Sequence, residues 1–281
     1  MVRFLIRLQY IDRRFIFLMM ALVIFLPLMS PDGCESKVPI DKPVQDLYDA
    51  IDELPAGTHV VVSANLDPAS RPELMPFIEA NLEHMFRKDL KVVVVALWPY
   101  APGVILPALR QVAGEQGKEQ GEDWTFLGFK EGKEFVMKAM AENMRQTFPT
   151  DNWGTSIDEL PIMDGVQSLK DAGLLIDYSA GYPGTKEWVI QVQGPYNIPM
   201  VSSCTAVQIT DYVPYYQAGQ LKGLAGGMPG SAQYESLVGR TGLASMGMMV
   251  LNYAHIFIII AIIIGNISFL MARRFPEEDL L

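Results

Sequence analysis

Histidine and cysteine are scarce in this chain of 281 residues, which holds three of the first and two of the second. Metal centres draw on clusters of those side chains. His59, His84 and His255 are widely separated and show no ligand spacing, so no metal or cofactor is expected. Also missing are the glycine–lysine phosphate loop, the HExxH zinc helix and the GxSxG nucleophile elbow. Each histidine falls on a different predicted element, so no nucleophile–base–acid trio can be assembled from them. Positive charge is short as well: 22 Lys and Arg face 32 Asp and Glu, a net charge of -10. Several of the basic residues sit at the termini, which leaves the middle more acidic than the whole. Nucleic acid is therefore excluded as a partner.

Hydrophobic residues make up 50% of the chain and charged residues 19%, which excludes disorder. The most apolar stretch, Leu243 to Met271, is followed by Arg273 and Arg274. A hydrocarbon core takes about 20 apolar residues in a helix, so this stretch predicts a transmembrane helix. A shorter apolar run, Phe15 to Met29, follows Arg3, Arg7, Arg13 and Arg14. It reads as an uncleaved signal anchor rather than a removed signal peptide, the alternative its basic n-region also allows, because no small-x-small cleavage pattern precedes Ser30. The basic residues beside both runs place both termini in the cytoplasm. The cell membrane is thus the expected location, with the main domain extracytoplasmic.

Between the two runs, short β-rich segments alternate with amphipathic ones, the pattern of βαβ units. His59 to Ser63, Lys91 to Leu97, Trp124 to Phe129, Leu174 to Tyr178, Glu187 to Gln193 and Pro199 to Ser203 read as strands. Helices are expected over Pro72 to Lys88, Val104 to Ala113, Glu131 to Thr147 and Met163 to Ala172. The fold class is α/β: a doubly wound, mostly parallel sheet of about six strands, flanked by an N-terminal and a C-terminal transmembrane helix. The expected organisation is a basic segment and anchor helix over 1–30, a juxtamembrane linker over 31–55 and an extracytoplasmic α/β domain over 56–210. A glycine-rich membrane-proximal segment over 211–242, the second membrane helix over 243–272 and a cytoplasmic tail over 273–281 complete it.

Open parallel sheets bind ligands beyond the carboxyl ends of their strands. Ser63, Asn65, Asp67, Trp98, Asp177 and Gln193 fall at or near such ends and form the candidate site for a small polar ligand. The competing reading is that Asn, Asp and Ser are common after any strand, where they bond nearby backbone. The segment Gly219 to Gly230 holds Gly219, Gly223, Gly226, Gly227 and Gly230 and follows Tyr215 and Tyr216. Its position beside the membrane predicts a docking or hinge surface, with an anion cradle as the weaker alternative. Within the second apolar run, Asn252, His255 and Asn266 share one helical face, which predicts contact with another helix. Cys34 and Cys204 would share an oxidising compartment, where a disulfide is permitted but cannot be assigned.

The expected partners are the lipid bilayer and other membrane-protein subunits or a second copy, with a small-molecule ligand as a further option. The first functional expectation is an accessory or structural subunit of a membrane complex. An extracytoplasmic ligand-binding or sensory domain comes second, and a membrane-tethered hydrolase using Asp67 and Asp177 third.

Overall fold

The computed structural model describes residues 11–29, 39–240 and 242–274. The chain divides into two units, residues 37–245 and the two terminal stretches 1–36 with 246–281. Each is described by itself.

In the larger unit, runs of valine decide the sheet. Helices α2 (Lys42–Asp52), α3 (Arg71–Arg87), α4 (Ala101–Glu115), α5 (Glu134–Glu142) and α6 (Met144–Thr147) are interleaved with strands β1 (His59–Asn65), β2 (Lys91–Ala96), β3 (Trp124–Phe129) and β4 (Leu174–Ser179). Helix α7 (Thr185–Trp188), strand β5 (Met200–Cys204), helix α8 (Ile209–Gln217), strand β6 (Gly223–Gly226) and helix α9 (Gly227–Val238) follow. The strands form one six-stranded sheet in the order β3-β2-β1-β4-β5-β6, and each neighbouring pair is parallel. Both faces are buried, as a parallel sheet requires. Val60, Val62 and Val94 pack on one face with α2, α3, α4 and α9. Val61, Val93 and Val95 pack on the other with α5, α7 and α8. Alternation along each strand feeds two cores, and each buried valine contributes on the order of 1.5–3 kcal/mol.

Three expected elements differ. Glu187 to Gln193 is helical, not extended: α7 continues as a π-helix over Val189–Gln193 and ends in the turn Gly194–Tyr196. Trp188, Val189 and Val192 are the buried positions there, a helical i, i+1, i+4 face that a run of β-branched residues concealed. The Glu187 carboxylate also accepts the Gly184 N–H at 2.9 Å, fixing the first turn. Met163 to Ala172 forms no α-helix: the 3-10 turn Pro161–Met163 ends where it begins, and it holds the 3-10 turn Leu169–Asp171. The expected helix over Glu131 to Thr147 is broken at Asn143, whose extended backbone lets its side chain accept the Gln146 N–H at 2.8 Å.

The sixth strand lies instead inside the glycine-rich segment. Gly223 and Gly226 belong to β6, and Gly227 begins α9. A Cβ on Gly223 would lie 2.3 Å from the backbone nitrogen of Leu47, and one on Gly226 2.0 Å from Ile209. Glycine is there so that α2 and α8 can lie directly on the sheet.

In the smaller unit, α1 (Arg13–Leu28) has 16 residues, about 24 Å at 1.5 Å per residue. That is short of a hydrocarbon core of about 30 Å, so an N-terminal transmembrane helix is not shown. One helix among the described residues, α10 (Leu243–Arg274), is long and apolar enough to cross a membrane. Only 6% of its most apolar stretch is buried in the protein, so it is not a core helix. Its first turn, through Ser245, belongs to the larger unit.

Candidate functional site at the carboxyl edge of the sheet

The strand order places the topological switch point between β1 and β4. There Ser63, Asn65 and Asp177 meet, all fully buried. The Asn65 amide donates to Ser63 Oγ at 2.8 Å and to Asp177 Oδ1 at 2.7 Å. Thr185 Oγ1 donates to Asp177 Oδ2 at 2.8 Å and lies 2.6 Å from Ser202 Oγ. Trp188 Nε1 donates to Ser63 Oγ at 2.9 Å, which frees the Ser63 hydroxyl proton for Asp177. Burial outweighs these donors and pushes the Asp177 carboxyl up to about 7. The network joins β1, β4, β5 and α7, and the Asn65 oxygen also accepts the Leu97 N–H at 3.3 Å.

Two loops meet beyond the strand ends. Trp98, which follows β2, donates its indole N–H to the Pro183 carbonyl at 2.9 Å. A Cβ on Gly181 would come 3.0 Å from the Trp98 ring, so the indole lies directly on the loop that follows β4. Asp67 forms a local turn: Oδ1 accepts the Ser70 N–H and the Ser70 hydroxyl, each at 2.9 Å. Those bonds, the backbone one first, hold its carboxyl below the usual range. Gln193 lies on the π-helical stretch rather than at a strand end, with Oε1 buried and without a hydrogen-bond partner.

The amino end of α9, where an anion cradle would sit, is taken by the chain's own carboxylate. Glu73 accepts the Ala206 N–H at 2.6 Å and lies against Gly227, where a Cβ would be 2.7 Å from its Oε1. A carboxylate at a helix N-terminus is the electrostatic arrangement that a bound phosphate would otherwise supply. The rim beyond is aromatic: Tyr100 and Tyr182 are 66% and 57% exposed. Lys133 Nζ sits 4.6 Å from the Tyr182 ring centroid, with Lys133 itself at φ 49° and ψ -121°, a region disfavoured for a residue with a side chain.

Tyr216 is drawn into the fold, donating to Asp46 Oδ2 at 2.6 Å, while Tyr215 packs against the second core. Gly219 turns the chain at φ 75° and Gly230 packs closely on Ala225. Asn252, His255 and Asn266 are exposed on α10, and the Asn266 amide donates to its own helix at Ile262 O, 2.8 Å away. Cys204 is buried, its thiol 3.7 Å from the Ala225 carbonyl, and Cys34 lies outside the described residues. Glu73, Thr185 and Trp188 gave no signal in the sequence, since each acts across a tertiary contact.

No family model matches the chain, and no curated protein matches it. Among solved structures, it is similar to the homocysteine methyltransferase MmuM from Escherichia coli in its apo form, at 12% identity. That match covers 70% of this chain and 100% of the other with a TM-score of 0.26, a level that carries no inference.

Proposed function

We propose that this chain is an accessory or structural subunit of a membrane complex, anchored by α10, with the α/β unit serving as an extracytoplasmic interaction module. The observation that carries the reading is α10 itself. Its 32 residues extend about 48 Å, and Ile256, Ile259, Ile262 and Ile263 are each at least half exposed. Such a surface is stable in lipid and costly in water. Arg273 and Arg274 close the helix and set its carboxyl end on the cytoplasmic side. With Arg13 and Arg14 at its start, α1 serves in this reading as a second anchor whose amino end faces the cytoplasm. An interaction role is further supported by the switch point, where Asn65, Asp177 and Thr185 are engaged with one another rather than turned outward.

A small-ligand or sensory domain is the second reading, favoured by the strand order, whose switch point falls between β1 and β4, the place where open parallel sheets bind ligands. The test is extraction of the native membrane in mild detergent, followed by mass spectrometry of the chains that migrate with this one. Partners at fixed ratio support the subunit. A lone chain, thermally stabilised by small molecules in a manner lost in Trp98→Ala, moves the assignment to ligand binding.

A further inference from the structure

Three consecutive residues of α9 hold it to three other elements. Gln233 exchanges two hydrogen bonds with Asp41 at the start of α2, of 2.8 and 2.9 Å. Glu235, 1% exposed, accepts the backbone N–H groups of Ala244 and Ser245 at 3.1 and 2.8 Å and the Ser245 hydroxyl at 2.7 Å. It thereby caps the first turn of α10. Between them, fully buried Tyr234 bonds to α3 through His84 and Asn81.

The protons in that bond chain have one consistent order. Tyr178 Oη donates to Asn81 Oδ1 at 2.7 Å, and Asn81 Nδ2 donates to Tyr234 Oη at 2.9 Å. The Tyr234 hydroxyl therefore directs its proton at His84 Nδ1, 2.8 Å away, which must be bare. His84 is thus a neutral imidazole with its proton on Nε2, donated to Asp52 at 3.3 Å. Protonation would place a second N–H on Nδ1, facing a phenol oxygen that already accepts from Asn81. The Tyr234 proton would then be buried without an acceptor.

We propose that the seat of α9 is an acid-released latch, in which protonation of His84 frees Tyr234 and loosens the α9 segment that caps α10. The groups around the imidazole are few. From α2 come Asp52 and Tyr48, the latter stacked at 4.4 Å between ring centroids; from α9, Tyr234; from the end of α3 and the residue after it, Arg87 and Lys88. Asp52 favours the charged ring but is half exposed and shared with Lys88 at 3.8 Å. Burial works against the charged ring and prevails, holding the His84 imidazole below its ordinary range. The folded state therefore binds a proton less readily than the opened one. The latch is secure above the ordinary histidine range and weakens as the pH falls through it. It is a property of the larger unit and stands apart from the subunit reading.

Hydrogen exchange on the full-length chain in detergent tests it, with rates corrected for the intrinsic pH dependence of amide exchange. Between pH 7.5 and 5, protection of the α9 peptides in wild type should fall by about tenfold or more relative to β1 and β2. His84→Phe, which keeps a ring, should abolish that relative loss. Asp52→Asn, which removes the charge that favours the protonated ring, should move the midpoint of that loss to lower pH. Unchanged α9 protection in wild type overturns the proposal. So does the same loss in His84→Phe, or, should that variant not fold, an unmoved midpoint in Asp52→Asn.

Discussion

Trp98 donates its indole N–H to the carbonyl of Pro183 at 2.9 Å while its ring rests on Gly181. The end of β2 is thereby tied across β1 to the loop after β4. Trp98→Ala should remove that contact at a cost of roughly 2–3 kcal/mol, less than for a fully buried aromatic. Urea unfolding of the protein in detergent would measure it. Gly181→Ala, which presses a methyl group on the ring, should cost about 1 kcal/mol in the same assay.

Asp177 predicts a pH dependence of opposite sign to that of His84. Its folded carboxyl is pushed up to about 7 from 3.8, so the native state binds the proton more tightly than the unfolded chain does. The stability it contributes is full below about pH 3.8 and is lost as the pH rises through about 7, a difference of roughly 4 kcal/mol at 1.36 kcal/mol per pKa unit. When protonated, Asp177 can donate to Thr185, which then passes its own proton to Ser202. Subtracting the Asp177→Asn curve from wild type should isolate this slope between pH 4 and 8. Parallel curves would show that the carboxyl does not titrate there.

Gly223 tests how the edge of the sheet is covered. A Cβ would lie 2.3 Å from the Leu47 backbone, so α2 cannot keep its place. Gly223→Ala should destabilise the larger unit by about 3 kcal/mol, at the upper end for overpacking. Gly219→Ala meets no neighbour within 4 Å and carries only the strain of φ 75°, so it should cost about 1 kcal/mol. Equal effects at both positions, read by thermal unfolding, would remove the distinction between close packing and turn geometry.

These glycines also mark where the sequence stops being readable. Valine runs such as Lys91 to Ala96 identify buried parallel strands by themselves, and the β-α-β start was legible for that reason. Gly223-Leu224-Ala225-Gly226 has neither β-branched residues nor alternation, and it is a strand only because β5, α2 and α8 converge on it. Near the membrane it therefore reads as a hinge. Ser63, Asn65 and Asp177 were visible as strand-end polar residues, but their pairing was not. Thr185 and Trp188, on a segment with the composition of a strand, complete the network from the helical side. Glu235 and Glu73 look like ordinary surface acids until α10 and the chain at Ala206 are placed beside them.

Glu235 should show itself as a cap. Glu235→Ala leaves the Ala244 and Ser245 N–H groups without their acceptor, and a lost N-cap costs about 1–2 kcal/mol. Gly242→Ala should act through the same group, since a Cβ there would fall 1.9 Å from Glu235 Oε1. The two effects should be less than additive in the double variant, because the residues share one contact. Additivity in a thermal double-mutant cycle would separate the cap from the close approach.

If α10 spans a membrane, as the subunit reading has it, Asn252, His255 and Asn266 are distinguishable by how each meets the cost of a polar group in lipid. Asn266 bonds back to Ile262 O within its own helix, a local solution that needs no neighbour. Asn252 and His255, exposed one turn apart, are the positions at which a helix from a partner would relieve that cost. Under the subunit reading, Asn252→Leu with His255→Leu should reduce recovery of copurifying chains several-fold, from about 1 kcal/mol or slightly more of lost association. Asn266→Leu should leave recovery near that of wild type. Equal recovery for all three, quantified by mass spectrometry after mild extraction, would locate any assembly surface off this face of the helix.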